Sequence, residues 1–296
     1  MSAGRKFREA LSSERPLLLP GAINPVMAMV ARDAGFRALY LSGSGVATAS
    51  YGLPDLGMTT LGEVCEDVRR ITRVVETPLI VDADTGFGSE LSIERTIQEL
   101  IANGAAGCHI EDQEGAKRCG HRPNKKIVPR DEMVQRIAVA ARARTQHDPE
   151  FFLIARTDAF APEGLDKTID RAKACVGAGA DAIFPEAMTS LKDYDALSKA
   201  LSVPILANIT EFGKTPLLTA DELHGVGVRI VLYPLTIFRM LLGAARKGYE
   251  TLRAEGTQKS LLPDMMTREE YYKVIGYHDY ERRLDASANA AQGEGK

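Results

Sequence analysis

Leu79-Ile80-Val81-Asp82-Ala83-Asp84 is an apolar run that ends in two carboxylates one residue apart, and Gly107-Cys108-His109-Ile110-Glu111-Asp112 repeats the construction. Short runs of apolar and β-branched residues bounded by glycine and charge read as buried strands. Eight occur along the chain, at 17–19, 38–41, 79–81, 107–110, 152–155, 182–184, 205–207 and 230–232. Between them lie helical periodicities such as Ile93-Ile97-Leu100-Ile101 and Met133-Ile137-Ala140-Ala141, with Gly104 and Gly179 placed to end helices. This alternation predicts an α/β fold, a parallel (β/α)8 TIM-type barrel.

The polar residues that follow the runs strengthen the prediction. Tyr40 and Ser42-Gly43-Ser44 follow the second, Asp82 and Asp84 the third, Glu111 and Asp112 the fourth, Arg156 and Asp158 the fifth, Glu186 the sixth, Asn208 and Thr210 the seventh. In a parallel barrel these strand ends share one face, which is where such enzymes carry their chemistry.

At 296 residues and 45% hydrophobic composition the chain suffices for one barrel domain spanning 1–296. Helical patterns at 235–255 and 268–286 exceed what closing the barrel requires. Residues 256–286 therefore read as a C-terminal helical extension and 287–296 as a disordered tail. A net charge of −3 provides no basic footprint for nucleic acid. No apolar run approaches the ~18 residues of a membrane span, and residues 1–15 lack a signal-peptide pattern, so a cytoplasmic protein is expected. Four cysteines without a CxxC pair read as free thiols.

Asp82 and Asp84 would point to one side if the strand persisted, although Gly86 and Gly88 signal a turn. They read either as hard-metal ligands suited to Mg²⁺ or as loop acids capping the helix that begins near Ser92. Lys117-Arg118-Cys119-Gly120-His121 sets a thiol among cations that lower its pKa, with Lys125 and Lys126 extending the positive field. The same stretch reads alternatively as a solvated basic loop. Cys65, Cys108 and Cys175 fall in helix or strand patterns and read as packing residues. Arg156, Arg239 and Arg268 are candidate carboxylate clamps.

These motifs, with Pro185-Glu186, Asn208-Ile209-Thr210-Glu211-Phe212-Gly213 and Leu53-Pro54-Asp55, resemble the isocitrate lyase and phosphoenolpyruvate mutase superfamily, and the likeness runs from Leu17 to Asp285. Within it the chain is most similar to the lyases that cleave 2-methylisocitrate to pyruvate and succinate in the methylcitrate cycle of propionate catabolism. The resemblance implies a Mg²⁺-dependent retro-aldol cleavage, with Mn²⁺ as a substitute. It places the metal on Asp82 and Asp84, and the tricarboxylate substrate among Ser42, Gly43, Ser44, Asp55, Cys119, Gly120, His121, Arg156, Glu186, Asn208, Ile209, Thr210, Arg239 and Arg268. Cys119 would be the catalytic acid and Tyr40 the general base. Ser44 departs from an expected glycine, and its hydroxymethyl group would narrow the pocket. The resemblance further implies helix swapping between subunits in a homotetramer, a dimer of dimers. Alternatives are isocitrate lyase, another 2-hydroxy or 2-oxo acid lyase of the superfamily, and a catalytically silent dicarboxylate sensor.

Overall fold

The computed structural model describes residues 1–115, 117, 120 and 125–293, with side chains through 287. The chain divides into two compact units, Met1–Phe238 and Arg239–Lys296.

Among the described residues the first unit holds eight strands: β1 (Leu17–Pro20), β2 (Leu39–Leu41), β3 (Leu79–Asp82), β4 (Gly107–Glu111), β5 (Phe152–Thr157), β6 (Ala182–Pro185), β7 (Leu206–Asn208) and β8 (Ile230–Tyr233). All pair in parallel, in the orders β1-β8-β7 and β2-β3-β4-β5-β6. Single parallel bridges, Gly21 to Tyr40 and Ile183 to Ile205, join the two sets and close the barrel. Gly21 is required at its joint, because a Cβ there would lie 1.9 Å from the Pro234 carbonyl oxygen.

Helix α1 (Ala3–Ser13) precedes the barrel. The following helices are α2 (Pro25–Asp33), the single turn α3 (Gly43–Gly45), α4 (Leu61–Thr72), α5 (Glu90–Ala102) and α6 (Arg130–His147). They continue as α7 (Phe160–Glu163), α8 (Leu165–Gly177), α9 (Leu191–Ala200) and α10 (Ala220–Gly225). Each strand end lies within two residues of its predicted place. Gly104 and Gly179 end α5 and α8 with φ of 87° and 109°, values costly for any side chain.

Alternation along the strands sorts the side chains into two cores. Leu17, Leu19, Tyr40, Ile80, Phe152, Ile154, Phe184, Leu206, Ile230 and Leu232 pack together inside the barrel with Phe7, Ala10 and Leu11 of α1. The Phe7 and Phe152 rings lie 4.8 Å apart. Outward residues such as Val81, Cys108, Ile110, Leu153 and Ile183 pack instead with Val68, Ile97, Ile137 and Leu197 from the helices. The inward positions nearest the strand C-termini are polar. Asp82 follows Ile80 by two residues, Glu111 follows His109, Arg156 follows Ile154, Glu186 follows Phe184 and Asn208 follows Leu206.

The chain enters the second unit along α11 (Thr236–Glu255), then passes a 3₁₀ turn (Lys259–Asp264), α12 (Arg268–Ile275) and α13 (Tyr277–Gly293). The single helix expected over 268–286 is two helices. Gly276, at φ 67°, caps α12 in the left-handed conformation and redirects the chain. The tail expected to be disordered from 287 is helical through Gly293, in keeping with its alanine content.

Candidate active site

Asp82 ends β3 at an inward position, and Asp84 stands two residues on in a left-handed turn at φ 49°. Both are buried. The Asp82 carboxylate accepts from the amides of Gly43 (3.0 Å) and Asp84 (3.1 Å) and from the Tyr40 hydroxyl (3.4 Å). An added Cβ on Gly43 would lie 3.0 Å from one oxygen of Asp82 and 3.3 Å from one of Asp84, so glycine here leaves room in front of both carboxylates. The N-cap of α5 is Ser89, so the pair does not cap the helix near Ser92.

Burial opposes ionisation of Asp82. At the low pH where it would take up a proton, the charge of a protonated His109, with those of Lys117 and Arg156, nevertheless holds it below the ordinary carboxylate range. The Asp84 carboxyl is pushed up to about 7 by burial and by the charge on Asp82, against the pull of Lys117. Lys117 answers this negative field. Its buried ammonium contacts Asp84 and lies 2.7 Å from Asp55. Burial opposes its charge, but Asp84, Asp82, Glu111 and Asp55 together raise its pKa.

Beneath the carboxylates, His109 Nε2 lies 2.8 Å from the Tyr40 hydroxyl and 3.5 Å from Asp82, while its Nδ1 has no hydrogen-bond partner among the described residues. Burial lowers the His109 pKa to about 4, so the ring is neutral. The tautomer with the proton on Nε2 leaves a bare acceptor buried at Nδ1, which costs less than an unpaired N–H. Burial, followed by the charge of Asp82, raises the Tyr40 pKa well above its ordinary value. In this structure the Tyr40 hydroxyl donates to Asp82 and lies against His109, at the position where its expected role as general base would be exercised.

The opposite side of the barrel mouth is built on Arg156. Its guanidinium lies over the Phe184 ring at 5.1 Å and contacts Glu111 (3.2 Å), Asp158 (3.0 Å) and Glu186 (3.4 Å). Burial opposes its charge, but Asp158, Glu111 and Glu186 hold it firmly protonated. Asn208 Nδ2 donates to both oxygens of Glu186 at 3.4 and 3.3 Å. Gly120 is buried against this group, and a Cβ there would lie 2.6 Å from Arg156 and closer still to Glu186. Only glycine fits that approach.

The structure therefore brings together Tyr40, Gly43, Asp55, Asp82, Asp84, Gly120, Arg156, Glu186 and Asn208. Ser42 is buried as the N-cap residue of α3, Ser44 is half-buried within that turn, and Thr210 is buried at the next inward position after Asn208. Ile209 does not join them, because its side chain faces outward and packs in the layer between strands and helices. Arg239 and Arg268 belong to the second unit, the former in α11 and the latter opening α12. Cys119 and His121 lie outside the described residues. Of the lysines that flank this stretch, Lys117 and Lys125 are buried on carboxylates and Lys126 is exposed. Sequence reasoning missed Lys117 as a counter-ion and Asp158 and His109 as supports. All three were visible only as members of quoted motifs.

The donor set fits a hard divalent cation. Asp82 and Asp84 are adjacent buried oxygen ligands that already attract an ammonium, with open space in front of them for substrate oxygens to complete a shell.

The model of the family described as phosphoenolpyruvate phosphomutase matches residues 7–253. The chain is 56% identical over 285 residues to 2-methylisocitrate lyase of Escherichia coli (strain K12), covering 96% of each. The crystal structure of 2,3-dimethylmalate lyase, a member of the phosphoenolpyruvate mutase/isocitrate lyase superfamily, is similar with a TM-score of 0.89 and 35% identity over 97% of this chain and 96% of that one. Oxaloacetate acetylhydrolase bound to 3,3-difluorooxalacetate gives 0.91 and 33%, covering 97% of each.

Proposed function

The chain belongs to the phosphoenolpyruvate phosphomutase family, and on that premise we propose that it is a carbon–carbon lyase that cleaves 2-methylisocitrate to pyruvate and succinate. The observation that carries the reading is the pairing, at one barrel mouth, of the Asp82–Asp84 carboxylates with the buried Arg156–Glu186–Asn208 group. The first suits a bound cation and the second suits a carboxylate-bearing anion.

Cleavage passes the proton of the substrate hydroxyl to a base, the role assigned to Tyr40, and forms the carbonyl of pyruvate. The electron pair of the broken C–C bond passes to the succinate fragment as an enediolate-like carbanion, which then takes up one proton at carbon. In this reading Asp82 and Asp84 hold Mg²⁺, or Mn²⁺ in its place, which when bound supplies Lewis-acid polarisation of the substrate oxygens. Arg156 receives a substrate carboxylate and balances the charge that develops on the succinate fragment. Lys117 keeps Asp55 and Asp84 oriented. Cys119 is assigned the final proton transfer, with its thiol as the acid. Ser42, Gly43, Ser44, His121, Thr210, Arg239 and Arg268 complete the proposed substrate contacts.

The exposed apolar residues of the second unit, among them Met240, Leu241, Tyr249, Leu252 and Tyr271, support a homotetramer built as a dimer of dimers with exchanged helices. No described helix is long and apolar enough to cross a membrane, and we place the enzyme in the cytoplasm.

A coupled pyruvate assay tests the function. Pyruvate should form from 2-methylisocitrate with a divalent-metal requirement, and glyoxylate, the fragment that isocitrate would give because it lacks the methyl group, should form much more slowly. A single methyl group is worth only about 1–3 kcal/mol in an apolar pocket, so some cross-activity is expected. No pyruvate from 2-methylisocitrate in the presence of Mg²⁺ or Mn²⁺ would refute the proposal.

A further inference from the structure

Asp158, wholly buried, holds two cations at once. Its carboxylate accepts from Arg156 Nε at 3.0 Å and Nη2 at 3.4 Å, and it also receives the ammonium of Lys125, whose side chain is only 4% exposed. The backbone of Asp158 is fixed as well. Its amide donates to Asp112 Oδ1 at 2.8 Å, while the Thr157 hydroxyl donates to Asp112 Oδ2 at 2.6 Å. Arg171 of α8 backs Asp112 at 3.6 Å.

Arg156 thus presents one edge of its guanidinium to Asp158, with Nη1 turned to Glu111 and Nη2 also reaching Glu186. Three carboxylates surround one guanidinium. An arginine so heavily compensated has little charge left for an incoming carboxylate unless another cation offsets part of the ring. Lys125 is placed to do that, and it does so from the carboxylate that substrate does not need to displace.

The segment around Lys125 is held independently of its ammonium. The Glu114 amide donates to the Lys126 carbonyl at 3.0 Å, and Gln113 bridges Ile127 in antiparallel fashion. Burying the ammonium is therefore not needed to attach this strand-like return to the barrel.

We infer that Asp158 and Lys125 are positioning residues: Asp158 sets the plane of the Arg156 guanidinium, and Lys125 offsets Asp158 so that Arg156 keeps its charge for a substrate carboxylate. The inference rests on the lyase reading, in which Arg156 receives that carboxylate.

The test compares wild type with Lys125→Met, Lys125→Arg, Asp158→Asn and the Lys125→Met/Asp158→Asn double variant. The readouts are kcat and KM for 2-methylisocitrate, succinate affinity by calorimetry, and thermal melting. Lys125→Met should raise KM and weaken succinate binding about tenfold while changing kcat less than threefold. Lys125→Arg should restore both to within about threefold of wild type. In the Asp158→Asn background, removing the Lys125 charge should add little, because the group it offsets is already neutral.

Unchanged KM and succinate affinity in folded Lys125→Met, loss confined to kcat, failure of arginine to rescue, or full additivity in the double variant would each overturn the inference. If Lys125→Met alone does not fold, the arginine rescue and the double variant carry the same decision. A wild-type chain that binds succinate yet releases no pyruvate sinks the lyase reading and leaves the positioning measurement intact.

Discussion

Burial raises the Cys65 thiol to about 11 and the Cys175 thiol to about 12, each with help from a nearby carboxylate, and raises Cys108 further still. These thiols are poor nucleophiles and poor acids at neutral pH. A thiol reagent at pH 8 should therefore find one fast-reacting cysteine in the native protein, and Cys119→Ser should remove it. The same variant should abolish cleavage while leaving succinate affinity largely intact, since a hydroxyl matches the thiol in size but is a far weaker acid. Near-normal turnover would take Cys119 out of the reaction. Asp112 allows a second residue-scale prediction. Burial, then the charge of Asp158, raises its pKa to about 6, against the Asp158 amide and the Thr157 hydroxyl. Between the unfolded value near 4 and about 6 the native state holds a proton that the unfolded chain has lost, so this group's stabilisation falls as pH rises through that window. Urea titrations from pH 4 to 7 should show a decline that is shallower in Asp112→Asn, by roughly 3 kcal/mol across the range if Asp112 acts alone. Parallel profiles for the two proteins would contradict the assignment.

Helix α1 acts as an element of the barrel although it precedes every strand. Ser2 caps the helix, and the buried stripe Phe7, Ala10 and Leu11 fills the end of the interior opposite the active face. Phe7 is fully buried, so Phe7→Ala should cost about 3–5 kcal/mol in chemical denaturation, in the range of large-to-small changes in a packed core. A cost below about 1 kcal/mol would mean that the plug contributes little. At this scale the sequence was legible for every strand, because eight short buried runs alternate with helical periodicities along the chain. It was less legible for the C-terminal helices. Helical periodicity continues across Gly276, and only the left-handed backbone there separates α12 from α13.

For the whole molecule, the main expectation concerns assembly. In the second unit the rings of Tyr272 and Tyr277 stack at 4.1 Å, while Tyr271, Tyr280 and Leu284 remain exposed. Light scattering at micromolar concentration should report a homotetramer, and truncation after Leu262 should reduce both the assembly and the activity. A fully active monomer would show that exchanged helices do not apply to this chain.

Sequence alone determined the barrel and the face that carries the site, because period-two alternation and the position of polar residues at strand ends are local properties of the chain. It also singled out Asp82, Asp84, Arg156, Glu186 and Asn208, since polar side chains at strand ends stand out against apolar runs. Only the tertiary structure decided which charges meet. Lys117 belongs to Asp55 and Asp84, Lys125 to Asp158, Tyr40 to a neutral His109, and Ile209 to the outer core. Those assignments depend on distances between strands far apart in sequence and on the low dielectric of their surroundings, and neither is written in the spacing of residues along the chain.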